Sequence, residues 1–356
     1  MTQPIVRINH ENLRHNIRVL SELVAPSEVM LAVKTNAYGH GLVDVAQAAL
    51  KSGATALAVL EVTAGVTLRE NGISAPLFAW LLGDDDDFLL ASKNNIELGI
   101  SSLRELAAAA NAKNTGDTEN PVVVHLKIDT GLTRNGSTEE LWPNLCSRAA
   151  ELEKNGAIVV RGVWSHLADA SPEDDAESLR RFERAIDQAR EAGLNPSVTH
   201  LGASSAGLRF PESRRSYVRF GIAAYGISPF DDRNVSELNL MPVMTVTAPV
   251  VSEGQDGLVV AAGYLHGILV GEHPERHVII DGEPWHVVSV SVDSMLVQRR
   301  DRDSSVHRSF VGATATIFGE GGPSAEELGS WCDTIGDEVV TRVSFRLPRI
   351  HVNSEV

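Results

Sequence analysis

Lys34 closes a short apolar run, VMLAV at 29–33, and opens a stretch of small, polar and glycine residues, TNAYGHG. Five apolar residues in a row have the length and content of a strand buried on both faces. The carboxyl ends of such strands are where α/β folds collect their chemistry. A lysine on a buried rim is costly unless its amine is neutralised, paired or converted, and a Schiff base with an aldehyde is one such conversion. The plain alternative is a surface lysine whose stem lies on apolar neighbours while its head reaches water. Similar strand ends downstream carry Lys127, Asp129 and Arg134 in KIDTGLTRNG, His166 in VWSHLADA, Ser204 and Ser205 in HLGASSAG, and Arg219 with Gly221 in VRFGIAAYG. The serines precede an expected helix start whose free N–H groups suit an anion, and Gly221 lets backbone amides approach a phosphate. The plain readings here are a rim salt bridge for Arg219 and a hydrogen-bonded core residue for His166.

The elements that must position these residues alternate. Residues 4–8 read as a strand, and Asn9 as the cap of a helix, HENLRHNIRVLSELV, with Leu13, Ile17, Leu20 and Val24 on one face. Strands follow at 29–33, 56–60, 76–80, 96–100, 122–128, 158–164, 197–201 and 217–222, separated by helical stretches that include a long charged helix from Pro172 to Ala192. About eight strand–helix units in succession are the signature of a (β/α)8 TIM barrel. Beyond Asp231 the texture changes to short β-branched runs within 241–251, 258–265, 276–292, 313–318 and 339–352, without helices of any length. These predict a C-terminal mainly-β domain over 233–356 after a barrel domain over 1–232, with the N-terminal strand packing on the β-domain. The acidic run Asp84–Asp87 reads as a solvated helix start, and 112–120 and 299–305 read as loops.

Composition narrows the partners. The chain has 31 basic and 47 acidic residues and a formal charge of −16, which argues against nucleic acid and anionic membrane. Only two cysteines occur, with no metal-ligand spacing, so no metal site is expected. No signal-like start and no long apolar run is visible, which predicts a cytoplasmic protein acting on small molecules or other chains.

The motif KTNAYGHG resembles the cofactor-lysine motif of alanine racemases, which are fold-type III pyridoxal phosphate enzymes. The resemblance spans essentially the whole chain. It implies that Lys34 carries pyridoxal 5'-phosphate and acts as one base, that Tyr38, Ser204, Gly221 and Ile222 hold the phosphate, and that Arg219 bonds the pyridine nitrogen. An arginine there leaves that nitrogen unprotonated, a poorer electron sink that suits proton exchange over transamination. The same resemblance places Arg134 near the substrate carboxylate, a carbamate on Lys127, His166 against the cofactor ring and Asp293 near the substrate. It also implies an amino-acid substrate and a homodimer with shared active sites.

The similarity breaks where a second base is needed. Racemisation requires proton-handling groups on both faces of the carbanion. In the family the second is a tyrosine in a G-x-x-x-S-Y-G segment of the partner's β-domain, and here TAPVVSEG at 247–254 runs almost directly to LVVAAGYLHG at 258–267. Tyr264 and His266 are the candidate substitutes. Asp337 stands where a phosphate-reaching tyrosine is expected, Ala203 where an asparagine is and Val292 where a methionine is, while Thr133 and Asn135 flank the arginine. Three readings result: an alanine racemase-type enzyme, a cofactor-binding homologue that exchanges protons on one face only or not at all, and a lyase or decarboxylase in which Cys332 and Asp333 take part.

Overall fold

The computed structural model describes residues 3–83, 85–114, 120–169, 171–299 and 309–353. Asp84, Ala170 and the central parts of the two expected loops, 115–119 and 300–305, lie outside the described residues. Strand β1 (Ile5–Asn9) leads into the helix His10–Val24, where Asn9 Oδ1 accepts the amides of Glu11 and Asn12 at 3.1 and 3.4 Å. Leu13, Ile17, Leu20 and Val24 form its buried stripe.

The barrel strands are β2 (Glu28–Ala32), β3 (Ala54–Val59), β4 (Leu77–Ala79), β5 (Ile96–Ile100), β6 (Val122–Lys127), β7 (Ile158–Trp164), β8 (Val198–Ala203) and β9 (Tyr217–Phe220). All eight pair in parallel in chain order, and β9 closes on β2 with Val29 beside Val218 and Met30 beside Arg219. Their near-continuous apolar content follows from burial on both faces, as in β5, where every residue is buried. The longest outer helix, Pro172–Glu191, is amphipathic and capped. Ser171 Oγ accepts the Asp174 amide at 3.1 Å, three acidic residues occupy the first turn and Arg190 the last.

The remaining strands, β10 (Met244–Gly254), β11 (Gly257–Val260), β12 (His277–Ile280), β13 (Glu283–Val290), β14 (Met295–Gln298), β15 (Thr314–Phe318) and β16 (Arg349–Val352), join β1 in one eight-stranded sheet. In it β1 pairs antiparallel with β10 and parallel with β16. The compact unit around this sheet comprises the chain up to Asn16, Thr35–Gly41 and everything from Ile222 onward; Ile17–Lys34 and Leu42–Gly221 form the barrel unit. The β-unit thus begins at Ile222, ahead of the expected 233, because the tight turn at Gly226 (φ +73°) sits directly against the Met241–Pro242 backbone. The expected strand residues 339–342 are instead helical, in Gly336–Arg342. Asp337 and Glu338 in the first turn and the Glu338–Arg342 pair at 2.9 Å favour the helix over an extended run. A second short helix, Ala325–Ser330, carries a capping box between Ser324 and Glu327. Among the described residues no helix is long and apolar enough to cross a membrane.

Candidate active site

Within the barrel unit the expected residues converge at the strands' carboxyl ends. Lys127 ends β6, Lys34 and His166 follow β2 and β7 by two residues, Ser204 follows β8, and Arg219 and Gly221 lie in and just after β9. His166 is half-buried, and Arg219, Arg134, Lys127 and Lys34 all oppose a further charge on it. Burial and these cations bring its pKa down to about 3, so the ring is neutral. Lys127 is 4% exposed and lies over the Trp164 ring at 4.5 Å. Burial, then Arg219 and Arg134, lower its pKa to about 8. Asp129 shapes the following loop: its Oδ1 accepts the amides of Gly131 and Thr133, both at 3.0 Å. Gly136, at φ +126°, leaves no room for a Cβ, which would lie 2.7 Å from the Asp129 nitrogen. Arg134 projects from this loop and is exposed.

Arg219 is the buried cation of the group. It donates to Ser165 O at 2.7 Å, Leu201 O at 2.9 Å, His200 Nδ1 at 3.0 Å and His166 Nδ1 at 3.1 Å, and none of these acceptors is a carboxylate. Burial pulls its pKa down to about 9, which still leaves the guanidinium charged near neutral pH. Ser204 Oγ accepts the Gly221 amide at 3.1 Å, so the two barrel-unit phosphate candidates are neighbours. His200, Ser165, His125 and Glu97, which contact or back Arg219, carried no recognisable spacing in the sequence.

The segment after Lys34 belongs to the β-unit and is wound the wrong way for L-residues. Thr35, Asn36 and Ala37 have φ/ψ of 53/50°, 56/47° and 53/53°, and Tyr38 follows at φ 51°. A left-handed turn of non-glycine residues costs roughly 1–2 kcal/mol per residue. The surroundings hold it. His40 Nδ1 donates to the carbonyls of Ala37 and Tyr38, both at 3.0 Å, and Arg349 Nε donates to Gly39 O at 2.6 Å. The Tyr38 ring lies 4.9 Å from that of Tyr225, and its hydroxyl pKa is raised by burial and then by Asp337. Ile222, buried, opens a short 3-10 turn that ends at Tyr225.

Elsewhere in the β-unit, Tyr264, His266 and Asp293 come together. The turn Tyr264–His266 is fastened to the β13–β14 connection by Tyr264 N to Ser291 O at 3.0 Å and Leu265 N to Val292 O at 2.8 Å. His266 Nδ1 accepts the Gly263 amide at 3.1 Å; burial lowers its pKa, which Asp293 opposes. Tyr264 is 51% exposed. Strands β10 and β11 are joined by only two residues, with Gly254 paired to Gly257, so the shortened segment is a tight hairpin. The Cys332 thiol pKa is raised by burial, against the influence of Arg276.

A buried guanidinium with no carboxylate partner, in a group of four cations around a neutral imidazole, suits an anionic ligand that also offers a neutral acceptor nitrogen. Pyridoxal phosphate has both features. Among the described residues no cluster of three metal-ligating side chains occurs.

A barrel with a lysine after its first strand and an arginine in its eighth, followed by a β-domain, is the architecture of the fold-type III pyridoxal phosphate enzymes. The chain belongs to the alanine racemase family: residues 8–229 match the alanine racemase N-terminal domain and 249–351 the C-terminal domain. It is 35% identical to the alanine racemase of Beutenbergia cavernae, over 95% of this chain and 94% of that one, and 34% identical to that of Mycolicibacterium smegmatis, over 95% and 92%. The structure of alanine racemase from D-cycloserine producing Streptomyces lavendulae superposes with a TM-score of 0.92 at 29% identity, covering 100% of this chain and 98% of that one. That from Corynebacterium glutamicum gives 0.86 at 33%, covering 99% and 100%.

Proposed function

We propose that this racemase interconverts L- and D-alanine with pyridoxal 5'-phosphate on Lys34. The observation that carries the reading is the group Lys34, Lys127, Arg134 and Arg219 around neutral His166 at the carboxyl ends of the barrel strands. When bound, pyridoxal phosphate supplies an electron-withdrawing ring that acidifies the α-proton of the amino acid. Arg219 presents a fixed positive N–H to the ring nitrogen and cannot transfer its proton there. Ser204, Gly221, Ile222 and Tyr38 hold the phosphate, in line with the family motif. Arg134 orients the substrate carboxylate, and Lys127, whose lowered pKa raises its neutral fraction, takes up carbon dioxide as a carbamate with loss of a proton. Incubation with labelled bicarbonate should then give a carbamate carbon signal that vanishes in Lys127→Ala.

Lys34 Nζ removes or returns the proton on one face. The other face falls to Tyr264 or His266 of a second copy, with Asp293 beside the substrate, so the working unit is a homodimer. The β10–β11 hairpin supports assigning this role outside the shortened segment. The test is incubation of the holoenzyme with L-alanine in heavy water, following α-proton loss and chirality. Deuterated D-alanine is expected, and Tyr264→Phe or His266→Gln should abolish it. Deuterium confined to L-alanine would indicate one-faced exchange, and no exchange at all would sink the reading for alanine.

A further inference from the structure

Behind Arg219 a row of polar side chains crosses the barrel interior that the chemistry above does not use. His200 and His125 are fully buried, and Glu97 is 8% exposed. His200 Nδ1 meets Arg219 at 3.0 Å, His200 Nε2 meets His125 Nδ1 at 2.9 Å, and His125 Nε2 meets Glu97 Oε2 at 2.7 Å. Glu97 Oε1 is taken by Arg161. Arginine has donors only, so His200 Nδ1 must be bare and the proton must sit on Nε2. That proton points at His125 Nδ1, which must then be bare as well. The His125 proton is therefore on Nε2 and goes to the carboxylate. Each donor finds one acceptor, and no other arrangement of neutral or charged rings satisfies all three contacts.

The barrel is built around this row. A Cβ on Gly162 would lie 2.4 Å from His125 Nδ1, so glycine at that position makes room for the imidazole. The His200 ring stacks on Trp164, with an interplanar angle of 9°, and Phe78 packs on both imidazoles, perpendicular to His200 and tilted at 55° to His125.

We propose that Glu97 and His125 are positioning residues for Arg219, fixing the tautomer and orientation of His200 through a one-way hydrogen-bond chain that starts at a carboxylate. The negative charge of Glu97 makes each bare nitrogen along the row a better acceptor, ending at the one that holds Arg219. Arg219 thereby gains the steadying influence of an anion without contact with one, and its outer N–H groups stay free for a ligand.

The test is nitrogen NMR of the protein labelled in histidine, first without cofactor or substrate, so that it succeeds or fails independently of the racemase reading. Both rings should show protonated Nε2 and bare Nδ1. A doubly protonated His125, or the opposite tautomer at either ring, would overturn the proposal. In Glu97→Leu, His200 should become a mixture of tautomers, kcat should fall about tenfold and KM for alanine should move less than about twofold. Glu97→Gln, which can still accept from His125, should restore the single tautomer and most of kcat. A single unchanged His200 tautomer in Glu97→Leu would mean that the carbonyls of Ser165 and Leu201 suffice, and the proposal would fall.

Discussion

His40 is fully buried and donates through Nδ1 to two carbonyls, which places the proton of the neutral ring on that nitrogen. Burial, partly offset by those two bonds, lowers its pKa from 6.5 to about 3. The unfolded chain therefore takes up a proton below pH 6.5 that the folded protein refuses until about pH 3. The stabilisation is complete above pH 6.5 and is lost as pH falls towards 3, at up to about 1.4 kcal/mol per pH unit. His40→Asn keeps a donor at the Nδ1 position and removes the titration. Urea unfolding at pH 7 and pH 5 should show a smaller acid loss in the variant, with the His166 and His200 contributions remaining; an unchanged loss would contradict the assignment. Residues of this kind divide sharply in how readable they are. Lys34 is legible as a candidate because it ends an apolar run, and Arg219 because it lies two residues before a glycine in a strand-end motif. Glu97, His125 and His200 could not, because they are far apart in sequence and sit inside runs such as VVVHLK that read simply as buried strand.

At the scale of elements, all eight barrel strands and their helices were legible, because apolar runs and amphipathic stretches alternate without interruption. The left-handed turn at Thr35–Tyr38 was not. Hydrophobic period reports which side of an element faces the core but not the hand of a single turn, and no glycine marks those four positions. The helix Gly336–Arg342 was misread for a related reason, since its Val-Val pair suits a strand until the flanking charges are weighed. The strained turn gives opposite expectations for two neighbours. Thr35→Gly relieves about 1–2 kcal/mol of left-handed strain against roughly 0.5–1 kcal/mol of added freedom in the unfolded chain, so the urea midpoint should rise slightly. Gly39→Ala should lower the unfolding free energy by about 1–3 kcal/mol, because Gly39 sits at φ +80° and a Cβ would lie 2.8 Å from Val340 O. A stabilised Gly39→Ala would contradict this account of the turn.

At the scale of the whole molecule, the β-unit exposes Leu265, Val270, Val292, Ile335 and Phe345, each at least half uncovered, and the proposed homodimer should cover some of them. With a charge of −16 on each chain, association should strengthen as salt rises from low to physiological levels. Sedimentation should show a dimer, and Leu265→Asp should shift it to monomer and reduce racemisation together; a monomeric variant with full activity would contradict the shared site. Biosynthesis adds an order to this dependence. The turn beside Lys34 is fastened by Arg349, which lies 310 positions after Gly39. A ribosome therefore makes Lys34 early and the arginine that fastens the turn after it almost last. A chain released before that point would carry Lys34 beside a turn that its last strand has not yet fastened.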